Sequence, residues 1–229
     1  MGVLLSQFDS RVQEIELYFS FLRLVVVEHA DLIHENGHPK RVGIDHDLVK
    51  ILKANAFLLL YNLVESSIRD ALTRIYDSVA ADRLTYAGLR AELREIWVQN
   101  MVIPDATRAS DATTKKVVQL IDSIIAAELI TLDAKLLPIA GNLDAAKVRE
   151  LARRYGFSHQ TTKKTQGGAV LLKVKTERNN LAHGQKSFAE CGRDLTFQNL
   201  KTAKNRAIAY VRQILRNVEK YINVKGYCH

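Results

Sequence analysis

Between residues 4 and 82 apolar side chains recur at steps of three and four, and the recurrence breaks at Asn36-Gly37-His38-Pro39. This pattern constrains the chain more than any other feature, because only a helix places positions three and four apart on one face. The first stripe runs Phe8, Val12, Ile15, Tyr18 or Phe19, Leu22, Val25 or Val26 and His29, and predicts one amphipathic helix from about Leu4 to Glu35. Glycine then suits the helix stop and proline cannot continue it. The second stripe takes Leu48, Ile51 or Leu52, Phe57, Tyr61, Val64, Ile68, Leu72 and Ile75, from a good N-cap at Asp45 to near Asp82. At ~1.5 Å per residue each helix would be roughly 50 Å long, so the two can pair as an antiparallel hairpin.

Shorter helices are predicted over residues 86–100, broken before Pro104; from Thr113 to Ala127, with Ser110 or Asp111 near the cap; and from Asp144 to Tyr155, ending at Gly156. A helix from Ala169 to His183 stops at Gly184, and a last one runs from about Leu195 to Val224. Residues 129–142 alternate too briefly to separate a strand pair from a loop, and the polar stretch 158–168 reads as an exposed linker. Only 7% of residues are aromatic and three are proline, which favours helices over a β-sandwich. The expected fold is therefore all-α: one domain over residues 1–229, with two long N-terminal helices, a long C-terminal helix and a possible helical insertion at about 129–167. No apolar run reaches the ~18 residues of a membrane span and no signal-type core follows the N-terminus, so the expected location is the cytoplasm. Cys191 and Cys228 have no CxxC spacing, and are expected to be reduced bystanders.

Charge is divided unevenly. Residues 1–149 carry 17 Lys and Arg against 20 Asp and Glu, whereas residues 150–229 carry 16 against 5, leaving the last third at +11. Such a block either solvates a helical surface or attracts a polyanion such as nucleic acid.

Within that block the helix over 169–183 has an irregular apolar stripe. Leu171 and Val174 are followed, at the next step of four, by Arg178 and then by Leu181. A guanidinium at a core position should meet a carboxylate or an anionic ligand, since burying it unpaired is costly. Asn179 and His183 lie four apart on one face, with Asn180 beside them. His183 is the last helical residue, where the negative end of the helix dipole favours a positive charge.

The run Arg-Asn-Asn-Leu-Ala-His-Gly at 178–184 resembles the Arg-x4-6-His motif of the HEPN superfamily, helical domains that bind nucleotides or cleave RNA. The predicted order of helices is similar, with the motif late in the chain and a long helix after it. Residues 60–68, Leu-Tyr-Asn-Leu-Val-Glu-Ser-Ser-Ile, and Gly141-Asn142-Leu143-Asp144 also resemble a small bacterial HEPN branch of toxin and phage-defence loci. The resemblance spans nearly the whole chain. It implies a metal-independent endoribonuclease with no cofactor, in which His183 acts as general base or acid, Arg178 stabilises charge on the phosphate and Asn179 orients the phosphate or His183. It further implies a homodimer with paired motifs, and a toxin or defence effector kept silent by a partner protein. Flanking Lys163, Lys164, Lys173, Lys175, Lys186 and Arg193 could hold an RNA backbone, or merely form a solvated basic face. The alternatives are an interhelical ion pair of Arg178 with Glu65 or another carboxylate, with His183 merely capping its own helix, and a non-catalytic HEPN module that binds nucleotide or a protein, such as an antitoxin.

Two further signals are weaker. Residues 148–158 resemble the first helix and corner of a DNA-binding helix-turn-helix, with Ala152 and Gly156 four apart, but Thr162 and Thr165 occupy the inward positions of the second helix. The histidines His29, His34, His38 and His46 follow no zinc spacing, so no metal site is assigned.

Overall fold

In the computed structural model, which describes residues 2–34, 40–102, 110–139 and 141–229, the two stripes become helices α1 (Val3–Val26) and α2 (His46–Ala81). The Asp45 carboxylate accepts from the backbone N–H groups of Asp47 at 2.8 Å and Leu48 at 3.1 Å, which fixes the start of α2 as its N-cap chemistry requires. From Ala54 to Val79 this helix buries side chains around much of its circumference, including Phe57, Leu60, Tyr61, Leu63, Val64, Ile68 and Leu72. A helix apolar on several faces must be central, and α2 packs against α1 and against three later helices, α6 (Val170–Ala182), α7 (Phe188–Gly192) and α8 (Phe197–Asn223). The remaining helices α3 (Ala91–Val102), α4 (Ser110–Ile125) and α5 (Ala145–Tyr155) lie between α2 and α6 in the chain.

Helix α1 ends at Val26, short of the expected Glu35. Leu32–His34 (β1) and Lys40–Val42 (β2) instead pair as an antiparallel hairpin, with Leu32 opposite Val42. Three β-branched residues in succession, Val25, Val26 and Val27, weaken the helix there, and His29 takes a left-handed φ of 51°. The Asn36-Gly37-His38-Pro39 stop and Pro104 lie outside the described residues, as do the side chains of Ser110 and Asp111. Helix α7 was not foreseen; a reciprocal capping box starts it, with Ser187 Oγ accepting from Glu190 N and the Glu190 carboxylate accepting from Ser187 N.

Residues 129–142 resolve into an isolated bridge between Thr85 and Leu129, a 3-10 turn at Ala134–Leu136 and a run that buries Leu137 and Ile139. The stretch 158–168 is largely exposed, as expected, but it is docked on the bundle rather than free. Its 3-10 turn Lys163–Gly168 buries Thr165 and Gly168, and Asn217 of α8 donates to the carbonyls of Ser158 and Gln160, both at 2.9 Å. No recognition helix follows α5, because residues 157–162 are irregular, so the helix-turn-helix geometry is not formed. Val148, Leu151, Ala152 and Tyr155 of α5 face the core, and the Tyr155 hydroxyl meets that of Tyr76 at 2.7 Å. Among the described residues no helix is long and apolar enough to cross a membrane.

Candidate functional site

Helix α6 carries the irregular stripe, and its C-terminus sets the position of His183. The Gly184 N–H bonds to the Leu181 carbonyl at 3.3 Å and the Gln185 N–H to that of Asn180 at 2.8 Å, a Schellman closure. It requires a left-handed residue after the cap, and Gly184 supplies it with φ 66°. His183 is thereby held as the last residue of the helix. Its imidazole is exposed and has no hydrogen-bond or ion-pair partner among the described residues.

Arg178 is half-buried, and its guanidinium lies 4.3 Å from the centre of the Tyr61 ring on α2. Its Nη1 donates to the Gly141 carbonyl at 3.2 Å and to Asn179 Oδ1 at 2.9 Å. These partners are neutral. The Arg178–Glu65 ion pair is not formed: among the described residues Glu65 is paired with Arg69 at 3.5 Å, and no carboxylate is bonded to Arg178. The charge is oriented but not cancelled, which is what an anion site needs.

Related contacts clamp Ile139 and residues 141–144. Asn179 Nδ2 donates to Asn142 Oδ1 at 2.9 Å, the Leu143 N–H donates to the Tyr61 hydroxyl at 3.1 Å, and Arg69 donates to the Ile139 carbonyl at 3.3 Å. Lys175 is ion-paired with Asp144, which also caps α5 through the Lys147 N–H. Three stretches distant in sequence, around residues 61, 142 and 178, therefore meet at one place. Burial raises the Tyr61 phenol above its ordinary value, with the nearby Glu65 carboxylate adding to this, so the ring stays neutral beneath Arg178. Burial also pushes Asp144 upward, but Lys175 and the α5 amides outweigh it and hold the carboxyl below the ordinary aspartate value.

Tyr61 and Asn142 are in contact with Arg178 and Asn179, and neither is among the candidates Arg178, Asn179 and His183 named from the sequence. Tyr61 sits on the core stripe, where periodicity marks it only as buried; a signal was the recurrence of both segments in the family resemblance. Of the six basic candidates, Lys163 and Lys164 stand exposed on the turn before α6 with no ion pair among the described residues. Lys173 is exposed, its ammonium 6.0 Å from the Phe57 ring centre, and Arg193 is exposed after α7. Lys175 and Lys186 are already engaged, by Asp144 and by Glu177, the latter at 3.2 Å. Cys191 is buried and in no disulfide; its Sγ donates to Glu177 Oε2 at 3.5 Å, and burial together with Glu177 pushes the thiol up to about 11.

No curated protein and no solved structure matches the chain. A family model described as HEPN_MAE_28990-like HEPN matches residues 2–227, a span that includes the helical bundle, the clamp and the motif. With nearly its whole length matched, the chain belongs to this HEPN family.

Proposed function

We propose that the protein is a metal-independent endoribonuclease whose site is built on Arg178, Asn179 and His183, and that it serves as a toxin or phage-defence effector restrained by a partner protein. The observation that carries this reading is Arg178, a guanidinium fixed by a ring, a carbonyl and an amide while its charge stays uncompensated. An RNA phosphate supplies the missing anion. His183 takes the proton from the ribose 2′-hydroxyl, the 2′-oxygen bonds to phosphorus, and the bond to the 5′-oxygen breaks as that oxygen is protonated. Arg178 neutralises the charge that gathers on the phosphate oxygens during this exchange, and Asn179, tied to Asn142, holds its orientation.

One chain offers a single motif histidine, whereas the reaction moves a proton on each side of the phosphate. A symmetric dimer with two motifs facing one cleft brings in the second histidine. Against catalysis stands the unpartnered His183 ring, which favours the second reading, a non-catalytic module that binds nucleotide or a partner protein. The test is cleavage of single-stranded RNA by purified wild-type, Arg178→Ala and His183→Ala proteins, with circular dichroism as the fold control. Both variants are expected to be folded and inactive. Full activity in either removes that residue from the site, and an inactive wild-type that still binds RNA selects the second reading.

A further inference from the structure

Helices α5 and α6 begin side by side, and between their first turns lies a cleft of about 470 Å3. Ala145, Ala146 and Arg149 line one side; Gly168, Ala169 and Leu172 line the other. The walls are small and aliphatic, and Leu172 is 57% exposed with nothing over it. The floor depends on Gly168, where a Cβ would come within 2.6 Å of the Tyr210 ring and 2.9 Å of Ala145 Cβ.

Polar groups are confined to the rim and the floor. Arg149 Nη1 donates to the Gly167 carbonyl at 3.1 Å, so one edge of the guanidinium is fixed, and its other N–H groups have no partner among the described residues. Asp144, also at the rim, is neutralised by Lys175. Ala169, the N-cap residue of α6, has no capping side chain; its own N–H bonds to the Gln166 carbonyl at 3.2 Å and the Leu172 N–H to the Ala169 carbonyl at 3.3 Å, which leaves the N–H groups of Val170 and Leu171 without a side-chain cap. Beneath the cleft the Tyr210 hydroxyl is fully buried and has no hydrogen-bond partner among the described residues.

The cleft shares helix α6 and the Asp144 segment with the motif. Leu172 precedes Arg178 by six residues, ~9 Å along the helix axis, and Asp144 belongs to the segment that holds Arg178 and Asn179. The geometry points to a nucleobase pocket, which receives the base of an unpaired ribonucleotide neighbouring the phosphate at Arg178. This assignment rests on the ribonuclease reading. Unpaired RNA bases are recognised as flat apolar plates, splayed from the strand, stacked on guanidinium planes and bonded at their edges. Aliphatic walls with a fixed guanidinium at one rim match that chemistry better than they match a phosphate, which the exposed Lys163 and Lys164 on the adjoining turn can meet.

The test is fluorescence anisotropy with a single-stranded 2′-O-methyl RNA heptamer, which cannot be cut because its 2′-oxygens are blocked, and with the same heptamer made abasic at each position in turn. For the wild-type protein one abasic position is expected to weaken binding about tenfold, the size of one base contact. Ala146→Phe and Ala169→Phe, each filling the cleft from an exposed position, should abolish that dependence. If the heptamer binds in an Arg178-dependent way but all abasic positions are equivalent, or if both filled variants keep the dependence, the pocket is overturned and the ribonuclease reading stands. If the heptamer does not bind the wild-type protein, that reading falls and the pocket falls with it.

Discussion

The guanidinium of Arg178 rests on the ring of Tyr61, 4.3 Å from its centre, while the Tyr61 hydroxyl accepts the Leu143 N–H. One side chain of the central helix thus supports both the motif arginine and the segment packed beside it. Tyr61→Phe keeps the ring but leaves a buried N–H without an acceptor, at a cost of about 1–3 kcal/mol. Tyr61→Leu also removes the π face, worth ~0.5–2 kcal/mol to the cation. Both variants should unfold at lower urea, but only the leucine variant should also lose RNA affinity. Equal RNA affinity in the two would show that the ring does not position Arg178.

Acid should loosen the clamp through Asp144. Its folded pKa lies below the ordinary aspartate value of about 3.9, so the stabilisation is fully present above that value and is lost as pH falls through the folded one. Asp144→Asn keeps an N-cap side chain and loses the charge facing Lys175. Its urea midpoint should fall below wild-type at pH 7, and the two curves should converge as pH falls below the ordinary aspartate value of about 3.9 and through the folded one. Curves that stay parallel across this range refute the assignment.

Gly184→Ala isolates the helix stop. The added methyl meets open space, so its effect is the left-handed backbone alone, about 1–2 kcal/mol. Thermal unfolding should report that loss. RNA cleavage should fall further than the stability change explains, because His183 is then no longer fixed at the end of α6.

Cleavage should survive a chelator and leave 2′,3′-cyclic phosphate or 3′-phosphate ends, since the proposed chemistry passes through the 2′-oxygen and a histidine. Mass spectrometry of the products made in EDTA decides this. A strict requirement for Mg²⁺ would move the chemistry away from Arg178 and His183.

Mixing wild-type with His183→Ala protein should give heterodimers whose activity departs from the average of the parents, because the composite cleft needs both motifs. A protein that stays monomeric in sedimentation while cutting RNA at full rate would end the dimer model and leave the residue assignments intact.

The sequence alone determined the elements whose cause is local. Apolar spacing and the Asp45 cap set α2, the Asp144 cap and Gly156 bound α5, and Gly184 ends α6 beside His183, because side-chain period and backbone conformation act within a few residues. The motif was legible for the same reason: an arginine on an aliphatic stripe is a local contradiction. What local rules could not reach was decided by contacts between distant residues. The pairing of Leu32–His34 with Lys40–Val42 joins two stretches separated in the chain, and the polar 158–168 stretch is docked by Asn217. Tyr61 looked like any core residue until the fold put it under Arg178, and Glu65 looked like the partner that Arg69 made it unnecessary to be. Which neighbours a half-buried charge receives depends on how two helices and one irregular segment pack, and no periodicity in a single stretch of chain encodes that.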